Sequence, residues 1–307
     1  MNNSGSLFFQ LSTTSGLMQK ATGGPVSYRT REYYLRKLHY AADFYAERGV
    51  RSITEIGLPQ IQAYADHLVR KGKSAATIHG YLAPLCKALQ VPMDQIQKPL
   101  RITSEYTRSR MHRDRYEDVP LQNLPSSILM SKCTGLRRSE LRRLKGRDLV
   151  VEDGFTYVIA EKGKGGKRQM QRILPKYVPY VEALFRDVPP DQKVLEDFVE
   201  NYDYHQVRRK LARECYYYYE EQCAKVEAER KKLYRQIASH WHRFNKRNRN
   251  KLERYSYFNK PYFLRGKTKA AALSQDKPII LDRLCLRAVS IFHLAHWRDN
   301  VTTQSYY

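Results

Sequence analysis

The chain has 307 residues, with 55 Lys and Arg against 31 Asp and Glu, a formal net charge of +24 and a pI near 9.8. That length favours two modest domains over one, and that charge makes a polyanion the natural partner, with DNA, RNA and an anionic membrane surface all compatible with it. No apolar run is long enough to span a bilayer, the start MNNSGSLFFQLSTTSG lacks the features of an export signal, and Cys86, Cys133, Cys215, Cys223 and Cys285 form no CxxC pair. A disulfide framework or zinc ribbon is therefore disfavoured, and a cytoplasmic protein with reduced, buried thiols is expected.

Residues 1–26 are rich in Ser, Gly and Thr and read as a flexible arm, with a short ordered piece around Leu7–Leu11. From Ser27, SYRTREYYLRKLHYAADFYAERG puts Tyr34, Leu35, Leu38, Ala41, Ala42 and Tyr45 on one helical face and basic residues on the other, ending at Gly49. Residues 56–70 and a Ser-capped segment after Gly72 repeat the pattern, so 27–92 reads as a helical bundle. Residues 93–120 are Pro-rich and charged without an apolar period, which suits a basic linker lying along a phosphate backbone.

The remainder, 121–307, reads as a second domain. It opens with the helical LQNLPSSILMSKCTG and a second helix from Thr134 to about Leu144. Alternation over 154–161 and 168–174, around KGKGGK, predicts a two-stranded hairpin. A Walker loop is excluded there because no Ser or Thr follows Lys167. A long helical stretch is predicted from about Pro179 to Ser239, with 186–255 as a helical insertion. Within it and just beyond, Lys231–Lys260 holds 10 Lys and Arg against the single acid Glu253, a candidate DNA-facing surface or a solvated charged face. Leu284, Val289 and Phe292 suggest a packed helix near the end. His293 with His296, or His240 with His242, is a conceivable metal pair, but no carboxylate or thiol cluster adjoins either, so no metal or other cofactor is expected.

Three segments carry chemistry. In TGLRRSELRRLKGRDL, Thr134 can cap a helix that presents Arg137 beside free backbone N–H groups, with Glu140 one turn on to hold it, a receptor for phosphate oxygens. GKGGKRQMQRILP places lysines at a hairpin tip, and LAHWRDNVTTQSYY sets a histidine ahead of a terminal tyrosine pair. These three, in this order, resemble the first-arginine box, the catalytic-lysine hairpin and the final histidine–tyrosine box of the tyrosine recombinases of the phage-integrase type. The helical segment 27–91 resembles that family's core-binding domain.

The resemblance implies a mainly α protein with a small β-sheet, a helical core-binding (SAM-like) domain and a mixed α/β catalytic domain closing as a clamp on double-stranded DNA. It implies a tetramer on DNA, with accessory DNA-bending proteins as further partners and a nucleoid-associated location. The implied activity is site-specific cleavage and rejoining through a 3′-phosphotyrosyl intermediate, without metal or ATP. Tyr306 is then the nucleophile, with Tyr307 as alternate, and Arg137 the first arginine. Lys164 is the proton donor, with Lys162 and Lys167 as competitors, and His296 takes the family's histidine position, where Ala295 replaces the usual preceding glycine. The second arginine is assigned to Arg265, ahead of Arg283 and Arg287, because Tyr262-Phe263-Leu264-Arg265 matches the family's His-x-x-Arg; Tyr262 there replaces the histidine, and a phenol cannot serve as the same acid–base partner at neutral pH. The sequence stops one residue after Tyr306, where members of the family commonly continue into a helix that docks on a neighbour; either the chain is truncated or its assembly contacts lie elsewhere, with 186–255 a candidate to supply them. Rival readings are a type IB topoisomerase-like enzyme, a catalytically degenerate DNA-binding protein of a mobile element, and a non-specific RNA binder.

Overall fold

Ser27 and Ser74 each accept a hydrogen bond from the backbone N–H three residues on, capping the helices that follow. The computed structural model describes residues 3–20, 24–101, 114–163, 168–223, 226–244, 251–297, 299 and 302–303. The chain divides into two units, Met1–Arg108 and Ser109–Tyr307.

The first unit is helical: α1 (Asn3–Ser12), α2 (Tyr28–Ala46), α3 (Leu58–Arg70) and α4 (Ala75–Ala88). Its core joins Leu38, Ala41 and Tyr45 of α2 to Ile61, Tyr64 and Leu68 of α3 and Ile78, Leu82 and Leu85 of α4. Each fully buried side chain of this size contributes about 1.5–3 kcal/mol. The short ordered piece expected around Leu7–Leu11 is the longer packed helix α1. Leu7 and Leu11, one helical turn apart, are fully buried with Leu17, and Gln10 Oε1 accepts from the Ile53 N–H at 3.0 Å. Two leucines at i, i+4 outweigh a small-residue composition once a groove receives them.

In the second unit, α5 (Ser126–Thr134) and α6 (Arg138–Leu141) precede a sheet of β1 (Leu149–Glu152), β2 (Phe155–Ala160) and β3 (Gln169–Arg172). The sheet is antiparallel in the order β1-β2-β3, one strand more than the predicted hairpin. The added hairpin turns at Asp153 and Gly154, both at positive φ (51° and 76°), the conformation that two-residue hairpin loops require.

Then come α7 (Val178–Phe185), α8 (Tyr204–Cys223) and α9 (Glu227–Phe244). The single long helix predicted from 179 to 239 is thus broken. Pro189-Pro190 follows the left-handed Asp187, and residues 190–194 instead hydrogen-bond to the 144–147 segment. Helix resumes where the Asp203 carboxylate accepts from the N–H groups of His205 and Gln206. Leu195, predicted on that helix, is buried from an irregular segment. Nor does 204–244 form an appendage: Leu211, Cys215, Tyr216 and Tyr219 of α8 and Leu233, Ile237 and Trp241 of α9 belong to the largest core cluster.

The C-terminal part has α10 (Tyr255–Phe258), β4 (Tyr262–Phe263), α11 (Gly266–Leu273), β5 (Ile280–Leu281) and α12 (Arg283–Ala288). β4 and β5 pair antiparallel. α12 widens into a π-helical turn at Val289–His293, a local rewinding often found beside functional sites. The fold class is therefore mainly α with small antiparallel sheets, as expected. The five cysteines are free and buried, and no helix among the described residues is long and apolar enough to cross a membrane.

Candidate active site

Arg137 stands at the N-cap of α6 rather than inside a helix begun by Thr134. The Thr134 hydroxyl donates back to Met130 O at 2.7 Å, so it belongs to the end of α5. Gly135 closes α5 in the left-handed region (φ 62°), where a Cβ would also press on Leu211 at 2.9 Å. Glu140 then holds Arg137 twice: Oε2 accepts from its backbone N–H at 2.9 Å and Oε1 from Nη1 at 2.6 Å. The Glu140 side chain is 2 % exposed and that of Arg137 14 %, so the guanidinium is held by a buried carboxylate. The neighbouring Arg138 and Arg142 pair instead with Glu200.

The second-arginine candidate lies after β4. Leu264 is buried and anchors the strand, while Arg265, the N-cap of α11, is exposed; its carbonyl accepts from Lys269 N–H at 3.4 Å, and its guanidinium makes no hydrogen bond or ion pair with a described residue. Its competitors are engaged elsewhere. Arg283 donates to the Tyr257 hydroxyl and to the carbonyls of Lys260 and Pro261. Arg287 is 5 % exposed and grips two carboxylates, Asp299 at 2.6 Å and Glu253 at 2.8 Å. Tyr262 is half-buried, and its hydroxyl shares a 3.1 Å hydrogen bond with the Thr303 hydroxyl. This joins the Tyr-Phe-Leu-Arg segment to the final box.

His296 follows the π-helical turn, its N–H donating to Ser290 O at 2.9 Å. The residues flanking it, Ala295 and Trp297, both sit at positive φ, 50° and 61°. The Trp297 ring stacks with His240 and meets Trp241 edge-on, which fixes its backbone through packing; Ala295 has only a methyl group to offer. A left-handed alanine costs about 1–2 kcal/mol, so Ala295→Gly is expected to raise the unfolding free energy by about 1 kcal/mol in urea denaturation. An equal loss instead would show that this conformation is not adopted.

Neither histidine pair converges. His293 is buried against the Tyr219 hydroxyl at 3.0 Å, while His296 leaves the helix end. His240 is buried and His242 exposed. Burial, with the nearby Arg172 charge, pushes the His293 and His240 imidazoles down to about 3, so both are neutral core groups. Among the described residues no three His, Cys, Asp or Glu side chains are grouped as metal ligands.

Lys162, at the end of β2, is exposed, and its carbonyl accepts from Arg143. Lys164, Lys167, Tyr306 and Tyr307 lie outside the described residues. Of the basic run 231–260, Leu233, Ile237, His240 and Trp241 turn inward and Arg243 pairs with Glu152. One residue missed in the sequence is central. Arg208, fully buried on α8, donates to Gly135 O and, at 2.5 Å, to Leu294 O. The signal was present: Arg208 lies on the same helical stripe as Tyr204, Leu211, Ala212 and Cys215.

The sequence model of the family described as phage integrase, N-terminal SAM-like domain, matches residues 24–94. Among solved structures, XerH site-specific recombinase bound to difH substrate in a pre-cleavage complex is similar at 14% identity, covering 99% of this chain and 91% of that one with a TM-score of 0.41. XerH bound to palindromic difH in a post-cleavage complex gives 14% identity, 99% and 90% coverage and a TM-score of 0.42. No curated protein matches the sequence.

Proposed function

We propose that this chain, whose residues 24–94 match the phage integrase N-terminal SAM-like domain, is a tyrosine recombinase that cuts and rejoins double-stranded DNA at specific sites. The observation that carries this reading is the joining of segments far apart in sequence. Arg208 holds the turn before Arg137 against the turn before His296, and Tyr262 reaches Thr303, three residues before Tyr306.

In the proposed reaction the Tyr306 hydroxyl oxygen attacks the scissile phosphorus as its proton passes to water. The new P–O bond is a 3′-phosphotyrosyl ester, and the bond to the 5′ oxygen breaks as Lys164 supplies its proton. Arg137 and Arg265 bind the non-bridging oxygens, whose charge grows in the transition state, and His296 donates a further hydrogen bond. Tyr262, hydrogen-bonded to Thr303, positions the nucleophile's segment rather than exchanging protons. Because the ester retains the bond energy, rejoining needs no ATP, and the residues assigned here require no metal. A tetramer on DNA, accessory DNA-bending proteins and a cytoplasmic, nucleoid-associated location belong to the same proposal, as do the domain limits 27–92 and 121–307 around the 93–120 linker.

The test is an SDS-stable protein–DNA adduct on nicked duplexes bearing candidate sites. Wild type and Tyr307→Phe are expected to form it and Tyr306→Phe to form none. If the wild-type chain forms no adduct on DNA that it demonstrably binds, a DNA-binding protein without strand-transfer chemistry replaces this reading.

A further inference from the structure

Arg208 has no role in the chemistry just described, yet it is a fully buried arginine in the middle of an apolar stripe. Burying a guanidinium carries a desolvation penalty that a methionine of similar shape would avoid, so packing alone does not account for it. The hydrogen bonds from its two terminal nitrogens do. Gly135 is the C-cap of α5 and Leu294 the C-cap of the π-helical turn that extends α12. Carbonyls at helix C-termini lack intrahelical donors and carry the negative end of the helix dipole, and a cation between two such ends satisfies both. Each carbonyl stands two residues before a proposed catalytic group: Gly135 before Arg137, Leu294 before His296. Both turns leave their helix through a left-handed residue, Gly135 at φ 62° and Ala295 at φ 50°. The missing Cβ of Gly135 lets α8 press close, with Arg208 Cγ 3.7 Å from where that Cβ would lie.

On the recombinase reading above, we propose that Arg208 is a positioning residue that fixes Arg137 and His296 relative to each other by capping two helices with one guanidinium. It touches no DNA; it sets the spacing of the groups that do. A lysine keeps the charge but replaces the planar fork by a single ammonium, which cannot hold both carbonyls in the same geometry.

The experiment measures single-turnover adduct formation on nicked duplex at saturating protein, with DNA affinity and urea stability measured in parallel, for Arg208→Lys and Arg208→Met. Both are expected to bind DNA within about threefold of wild type, while the adduct rate falls about 100-fold, the effect of a small misplacement of catalytic groups. In an Arg137→Ala background, Arg208→Lys is expected to slow the reaction less than about threefold further, because the spacing it sets is that between Arg137 and His296, and one member of the pair is already gone. Leu233→Ala, in the same core but on α9, is the control for stability alone. The proposal is overturned by an Arg208→Lys rate within threefold of wild type, by a full 100-fold effect in the Arg137→Ala background, or by an equal rate loss in Leu233→Ala at matched stability. A wild-type chain that forms no adduct sinks the recombinase reading and this proposal with it, whereas an active wild type with unaffected Arg208 variants sinks this proposal alone.

Discussion

Arg137→Lys is expected to slow adduct formation about 100- to 1000-fold, the loss typical of removing one preorganised donor from a developing oxyanion, while DNA affinity at fixed salt changes less than threefold. The large effect follows from geometry rather than charge. Glu140 binds both the backbone N–H and the guanidinium of Arg137, so the planar group is already held, and in the proposed reaction it would lose little ordering entropy when the transition state forms. Lysine retains one positive charge, which maintains phosphate attraction, but it cannot span two oxygens while tethered to Glu140. Single-turnover rates separate the two contributions. An Arg137→Lys rate within about fivefold of wild type would remove Arg137 from the chemistry.

Much of the first unit was legible because its signals are local. Ser27 and Ser74 cap helices whose apolar spacing runs without interruption, and α2 and α4 start at the residue after each. Two of the three strands were legible, because alternation over 154–161 and 168–174 marks β2 and β3, whereas β1, only four residues long, carries too little alternation to mark a strand before the Asp153-Gly154 turn. Pro189-Pro190 marks the break in the long helix, although Leu195 and Phe198 just beyond it keep a helical spacing; what decides the outcome is hydrogen bonding to residues 144–147, invisible locally. At the site, Arg137 and Glu140 are legible as a pair one turn apart, but α6 starts after Arg137 and not at Thr134, because the Thr134 hydroxyl turns back to Met130. The helical stripe marks Arg208 as buried, but its partners across 73 and 86 residues, like the Tyr262–Thr303 bond across 41, are reported by no periodicity.

The assignment of the second arginine yields the other large effect. Arg287 stands nearer the end of the chain than Arg265 and is a competitor by position, but its guanidinium is spent on Asp299 and Glu253, between Trp241 and Phe258. Arg287→Met is therefore expected to destabilise the protein by about 3–5 kcal/mol at pH 7.5, because Asp299, 7 % exposed, is left buried and unpaired. Adding Asp299→Asn and Glu253→Gln removes the stranded charges and should recover more than half of that loss. The pH dependence has a definite sign. Burial pushes the Glu253 carboxyl up, but the hydrogen bonds and charge of Arg287 outweigh it and hold it below its ordinary range. The stabilisation from Glu253 is thus present above its unfolded value, about 4.3, and is lost as pH falls through the lower folded value. The stability gap between wild type and Arg287→Met, read from urea midpoints, should accordingly narrow below about pH 4.3. Catalysis separates the two arginines: Arg265→Ala should lose about 100-fold in adduct rate at unchanged stability, whereas the Arg287→Met, Glu253→Gln, Asp299→Asn chain should stay within about tenfold of wild type. The opposite pattern would exchange their roles, making Arg287 the phosphate ligand and Arg265 a surface residue.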